Sequence, residues 1–323
     1  MAQAIAYKNV ALATEASYGT SLPISDYAPV KSIDLNVDPN FQLKEDTSTS
    51  VKGYDRSAYL RNVIEGSIDF NVDPESVHHW LELGMGVGAT LQGGAALPIS
   101  GATAVTYPQN EDGVQLTYRI DIDRNTATEG FLGVAAQSLE LTSSGDFVEG
   151  TLNVTAKEKF SSTTFTPTGL TLNPFVFAES ALYVGGSIGG ASTEISVDEW
   201  TMTYDLQSET AFQSGSRAAK RVDPKVPMLT GSFTRFFDDT NYDTYVTNGT
   251  DRAFVVELTG SNTYSGTSPY KLAFYIPKAR CTVSTKTYEA AGYVKETVEF
   301  TGVYDPGIAY LWKPVLWNGA TVA

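Results

Sequence analysis

EGSIDFNVDPESVHHWLELGMG, residues 65–86, reads as a strand running into a short helix that stops at glycines. Ile68, Phe70 and Val72 alternate with Ser67, Asp69 and Asn71, the period-two pattern of a half-buried strand. Asp73 offers a helix N-cap, because its carboxylate can accept a free N–H of the first turn. Pro74 suits the first helical position, where its missing N–H costs nothing. Glu75 places negative charge at the positive end of the helix dipole. Val77, Trp80, Leu81 and Leu83 form an apolar side, and Gly84 and Gly86 supply permissive backbone for a stop. A helix this short is marginal alone, so it is expected to pack onto the sheet that leads into it.

Working outward, 323 residues favour two domains over one, and an apolar fraction of 42% suffices for a sizeable core. Thr, Ser, Val, Tyr, Phe and Gly are plentiful, which favours strands and turns over helices. The formal charge is −15 and the isoelectric point about 4.5. That balance argues against tight gripping of nucleic acid, whose phosphates are held by Lys and Arg. It is compatible with a surface that nucleic acid slides past. The first residues lack a basic segment followed by an apolar one, so no secretory leader is expected. No apolar run approaches the roughly 18 residues of a membrane span, so no membrane anchor is expected. A single cysteine, Cys281, excludes an internal disulfide.

Taken in order, residues 1–30 look irregular and extended. Ile33, Leu35 and Val37 alternate with polar residues as a strand, and a long polar loop is expected over 42–59. After the 65–86 unit, residues 84–113 are rich in Gly and Ala and read as loop. Strand patterning returns in 114–123, in SLELT (138–142) and in VEGTLNVT (148–155), the last two joined by a turn at 143–146. Residues 156–176 read as a linker. The second half repeats the order. EWTMTYDL (199–206) matches the strand at 32–37, and a long polar loop is expected again over 207–229. Thr230-Gly231-Ser232-Phe233 echoes Glu65-Gly66-Ser67-Ile68. Residues 238–247 occupy the place of the first helix with a weaker helix signal. Strands at 254–258 and 271–276, then a hairpin of 279–284 with 294–301, complete the parallel. The order implies an internal duplication. The tail after Val303 carries Tyr304, Tyr310, Trp312 and Trp317, and so is expected to pack on its own domain or on a neighbour.

No catalytic constellation emerges. His78 and His79 are adjacent, so on a helix they diverge and cannot share a metal as i, i+4 histidines do; a solvated helix edge is the plainer reading. Asp121, Asp123 and Asn125 open like a calcium loop, but Thr126 stands where Gly is needed and Leu132 where Glu is needed. Alternating outward carboxylates account for them better. Cys281 reads as a core residue, with no His near it in the chain. No cofactor motif is found. Basic residues do gather in the two long loops: Lys44, Lys52, Arg56 and Arg61 in or beside the first, and Arg217, Lys220, Arg221 and Lys225 in the second. In an acidic chain these point to contact with a complementary acidic surface, most simply a second copy.

Together these features resemble phage major tail tube proteins. The resemblance rests on Tyr18-Gly19-Thr20 after Glu15, the long hairpin loop before Glu65-Gly66-Ser67-Ile68, and the Asp73-Pro74-Glu75 helix ending Leu83-Gly84-Met85-Gly86. The closing hairpin SLELTSSGDFVEGTLNVTAKE and the recurrence at Thr230-Gly231-Ser232-Phe233 complete it. It spans roughly residues 5–305. It implies a mainly β fold: two tandem tail-tube-type β-sandwich/barrel domains, each with a short flanking helix, over 1–165 with an N-terminal arm and 166–323 with a C-terminal arm.

The resemblance further implies trimeric rings of pseudo-sixfold symmetry, stacked helically into a non-contractile tail tube that conducts DNA. The implied partners are other copies, a tape measure protein, a tail terminator and distal tail or baseplate proteins. The place implied is the virion tail, after synthesis in the host cytoplasm. Ring-to-ring contact candidates are Lys44, Lys52, Arg56, Arg217, Lys220, Arg221 and Lys225, with the terminal segments. A wall that DNA passes should repel phosphate, so Asp34, Asp69, Glu140 and Glu149 are candidates for lumen-facing groups. The competing readings are a tube of a contractile tail or secretion-like system, and a non-enzymatic β-sandwich surface or carbohydrate-binding protein.

Overall fold

The computed structural model describes residues 8–20, 22–46, 53–92, 104–107, 115–123, 128–163, 165, 173–185, 193–265, 268–288, 292–307 and 310–317. The chain is mainly β and almost wholly antiparallel. Strands β1 (Lys8–Thr14) and β2 (Asp26–Val30) pair where the sequence reads as irregular. Strands β3 (Ser32–Asp46) and β4 (Gly53–Asn71) form one long hairpin, so most of the expected loop at 42–59 is paired backbone. Helix α1 (Val77–Met85) follows. Within the expected loop at 84–113 lie β5 (Thr90–Gln92) and β6 (Ala104–Thr106). Then come β7 (Tyr118–Asp123), β8 (Thr128–Ser143), β9 (Val148–Ala156) and β10 (Glu158–Ser161), the last within the expected linker. Short polar strands of this kind escape a reading by alternation, because their pairing is set by distant partners.

The second half runs β11 (Ser180–Val184), β12 (Thr193–Ile195) and β13 (Glu199–Asp205). The expected loop at 207–229 folds instead as a hairpin of β14 (Glu209–Phe212) and β15 (Ala219–Asp223). Strand β16 (Met228–Phe236) leads to α2 (Asn241–Asn248), a true helix despite its weak signal. Then follow β17 (Asp251–Ser265), β18 (Ser268–Tyr288), β19 (Val294–Gly302) and β20 (Lys313–Trp317).

Eight strands join side by side into one continuous sheet, ordered β3-β4-β9-β8-β13-β16-β19-β18. Each half contributes four strands in the same pairing order, and β8 with β13 makes the joint. Strands β8 and β18 are long enough to serve two layers. Their first parts pair in outer sheets: β8 with β7 and β10, β18 with β17 and β20. Their second parts belong to the continuous sheet. Each changes register by a bulge, between Ala136 and Ser138 in β8 and between Cys281 and Val283 in β18. A bulge bends a strand, which suits a segment passing between layers.

The main core is a contiguous cluster of buried apolar residues spanning both halves, and a second, small cluster gathers Val255, Ala273, Tyr275, Val315 and Trp317 of β17, β18 and β20. Helix α1 buries Val77, Trp80, Leu81 and Leu83 as its pattern implies, with Trp80 stacked 5.3 Å from Phe70. Its start is corrected. The helix begins at Val77, and Asp73 instead caps the preceding turn, accepting from the N–H groups of Glu75 (3.0 Å) and Ser76 (2.7 Å). Gly86 ends it in a left-handed conformation, φ 69°. The aromatic tail packs on its own chain: β20 pairs with β18 and β6, and Trp312 lies between Phe274 (5.4 Å) and Tyr204 (5.2 Å).

The repeated Gly-Ser signature has a steric cause. A Cβ on Gly66 would run into the carbonyl oxygen of Asp34, and one on Gly231 would stand 2.8 Å from that of Thr201. Asp34 and Thr201 hold corresponding places on β3 and β13, since each pairs with the serine that follows its glycine.

Candidate functional site

The continuous sheet has two unlike faces, because side chains alternate along each strand. One register row runs Ile33, Ile68, Leu152, Leu139, Tyr204 and Leu229 from β3 to β16, and every member is buried. The adjacent row runs Ser32, Asp69, Thr151, Glu140, Thr203 and Thr230, and none of these is buried. So the apolar face closes the core and the other face is polar.

The four predicted acidic residues all lie on this polar face. Asp34 and Glu140 are exposed, and Asp69 and Glu149 are half-buried. Asp69 accepts a hydrogen bond from Thr151 Oγ1 at 2.8 Å and another from Ser32. Glu149 is partly neutralised by Lys31, 2.5 Å away. Sequence reasoning missed Asp38, Glu65, Asp205 and Glu299, which strand parity puts on the same face. Alternation within each strand could have found them. The face is also stitched between strands: Asn153 Nδ2 on β9 donates to Ser138 Oγ on β8 at 2.9 Å, and across the joint the hydroxyls of Thr142 and Thr201 lie 3.1 Å apart.

The two terminal strands of this sheet have open edges. Among the described residues, β3 pairs only with β4, and β18 beyond Cys281 pairs only with β19. Unpaired N–H and C=O groups in such rows are templates for another strand.

The basic candidates of the β14–β15 hairpin lie beside the β3–β4 arm. The β14–β15 hairpin docks on the β3–β4 arm through Asn62 N–H to Arg217 O (3.0 Å) and through Arg61 over the Phe212 ring (4.7 Å). Arg217, Lys220, Arg221 and Lys225 are exposed, with Arg221 bonded to Asp223 and Lys225 to Glu209, both at 2.8 Å. The backbones of Lys44 and Arg56 stand opposite each other on the arm, while their side chains and all of Lys52 lie outside the described residues.

Two expectations are corrected. His79 is buried, and burial first and the neighbouring His78 second hold its imidazole down to about 3. The pair is therefore not a solvated helix edge. Asp121 is buried and clasped by Arg119 through Nε (3.0 Å) and Nη2 (2.7 Å), so it is not an outward carboxylate. Cys281 is a core residue, its thiol pushed up to about 11 mainly by burial. Among the described residues, no three metal-ligating side chains converge and no helix is long and apolar enough to cross a membrane.

These features describe a mainly β protein built on one continuous sheet, open at both edges among the described residues and carrying carboxylates on its polar face. Residues 8–302 match the family described as phage tail tube protein, and the chain belongs to that family. It is a structural component of a virion tail that self-assembles into a tube and associates with other tail components. No curated protein matches the chain.

Proposed function

We propose that three copies close into a ring of pseudo-sixfold symmetry, and that rings stack helically into the tube through which viral DNA leaves the capsid. The observation that carries this reading is the continuous eight-stranded sheet. Its four-plus-four pairing order fits two tandem tube domains, over 1–165 and 166–323, and its open edges invite ring closure. The polar face would then line the lumen, with Asp34, Asp69, Glu140 and Glu149 repelling phosphate so that DNA slides without sticking.

The hairpin end proposed to bear Lys44, Lys52, Arg56, Arg217, Lys220, Arg221 and Lys225 would meet the opposite end of the next ring. Such a head-to-tail contact propagates as a helix. A tape measure protein, a terminator and distal tail proteins would meet the tube inside and at its ends. The tail would be of the non-contractile kind, and the chain would be made in the host cytoplasm.

The reading is tested by electron microscopy with solution mass, expecting rings and tubes built of three 34.8 kDa chains per ring. The lumen assignment is tested by Asp34→Lys with Glu140→Lys in assembled virions. Slower DNA ejection with altered salt dependence is expected, and unchanged ejection removes those residues from the lumen.

A further inference from the structure

We propose that the open edge of β18 pairs antiparallel with the open edge of β3 of a second copy, in the register that β8 and β13 adopt within one chain. This rests on the ring reading above and specifies its joint residue by residue.

The correspondence is read outward from the two signature glycines. Leu35 and Val154 stand opposite Gly66; Met202 and Phe300 stand opposite Gly231. Val154 then faces Ala136, and Phe300 faces Cys281, each immediately before the bulge. Beyond the bulge, Leu139 faces Leu152 and Ser284 faces Val298, so Leu139 and Ser284 hold equivalent places. By the same count Ser143 corresponds to Tyr288, and Ile33 to Trp200.

Within the chain the joint pairs Leu139 with Tyr204, Leu141 with Met202 and Ser143 with Trp200. Transposed to two copies, it pairs Ser284 with Val37, Lys286 with Leu35 and Tyr288 with Ile33 on the core face. On the polar face it pairs Thr285 with Asn36 and Thr287 with Asp34.

The chemistry at each place fits. Inside the chain a small residue, Ser143, meets a large one, Trp200. Between copies the sizes are exchanged, with large Tyr288 against smaller Ile33. Tyr288 is 77% exposed in the single chain, a large apolar ring awaiting cover. The Thr142–Thr201 hydroxyl contact is replaced by a Thr287 hydroxyl that can donate to the Asp34 carboxylate. Lys286 already has its partner, Asp243 of α2, and lies 4.5 Å from the Phe237 ring, so it brings no unpaired charge. Pairing with Val294 fixes the face of Tyr288, so a slip by one residue would set it beside the polar-face residue Ser32 or Asp34, which the alternation forbids.

The test is disulfide trapping of assembled protein. Directly opposed residues have Cα atoms about 4.5–5.5 Å apart, within disulfide range, whereas diagonal neighbours do not. Asn36→Cys with Thr285→Cys should give covalent rings of three chains under mild oxidation, each single variant none, and the shifted pair Asp34→Cys with Thr285→Cys about tenfold less. Glu140→Cys with Thr203→Cys should close within one chain and calibrates the geometry. Because paired cysteines could impair folding, hydrogen exchange on the unmodified protein supplies a second readout. Amides of 33–37 and 283–288 should slow by at least about tenfold on assembly. Tubes in which the shifted pair dominates, or in which those amides gain no protection, overturn the register and leave the tube reading standing. Unmodified protein that never forms rings, even with tail-initiating proteins supplied, overturns both.

Discussion

The guanidinium of Arg235 holds the carboxylate of Glu296 through Nε and Nη2, each 2.9 Å from Oε2, with both side chains buried. Asp238 (2.6 Å) and Asp239 (2.9 Å) flank the same cation, and Tyr242 lies under it at 4.5 Å. This network ties β16 and β19 to the start of α2. Glu296→Ala leaves a buried cation short of its main partner and should cost about 3–5 kcal/mol. The double variant Arg235→Met with Glu296→Leu removes both charges and should recover at least half of that. Urea unfolding midpoints of the two proteins decide the matter, and equal losses would show that the pair's charge is not what matters.

Glu15 performs a comparable task in the first half. Its buried carboxylate accepts from Gly19 N–H (2.8 Å), Gly133 N–H (2.9 Å) and Thr117 Oγ1 (2.7 Å). It thereby fixes the Tyr18-Gly19 turn, with Gly19 at φ 71°, against β8. Glu15→Ala orphans these donors and should destabilise by about 2–3 kcal/mol, with Glu15→Gln milder. Thermal unfolding that leaves Glu15→Ala level with the parent would sink this account.

His79 makes stability depend on pH. Its folded value, about 3, lies below the ordinary 6.5. Below pH 6.5 the unfolded chain binds a proton that the folded chain refuses, so stability falls as pH drops from 6.5 towards 3. Burial lowers His78 too, adding in the same direction. The His79 contribution is on the order of 3–4 kcal/mol across that window. His79→Gln should flatten the slope of stability between pH 7 and 4, and a slope equal to the parent's would refute the assignment.

Gly66 and Gly231 should tolerate substitution unequally. At Gly66 the obstacle is the Asp34 backbone, which cannot move without breaking the β3–β4 ladder. At Gly231 the nearest atoms belong to the Phe300 ring, which can shift, with Thr201 O at 2.8 Å behind it. Gly231→Ala should cost about 1–3 kcal/mol and Gly66→Ala more. The ranking is read from paired denaturation curves, and the reverse order would contradict it.

Much of this was legible in the chain itself. Alternation located the core strands, Gly86 located the end of α1, and the Gly-Ser signature marked two equivalent strands. Each is a local property, written within a few residues. The polar residues 42–46 and 53–59 carry no such pattern, yet they are paired strands. The first two strands, β1 and β2, were hidden in the same way. Strand pairing is made by backbone groups common to all residues, and its partner can be anywhere in the chain.

The sequence by itself therefore determined the strand-rich character, the short helix, the acidic alternation and the family resemblance. Only the tertiary structure decided that β8 joins β13, that β6 reaches across to β20, and that Asp34, Asp69, Glu140 and Glu149 share one face. It also decided that Asp121 and His79 are buried. The physical reason is that burial and sheet order come from contacts between residues far apart in sequence, which no local pattern records.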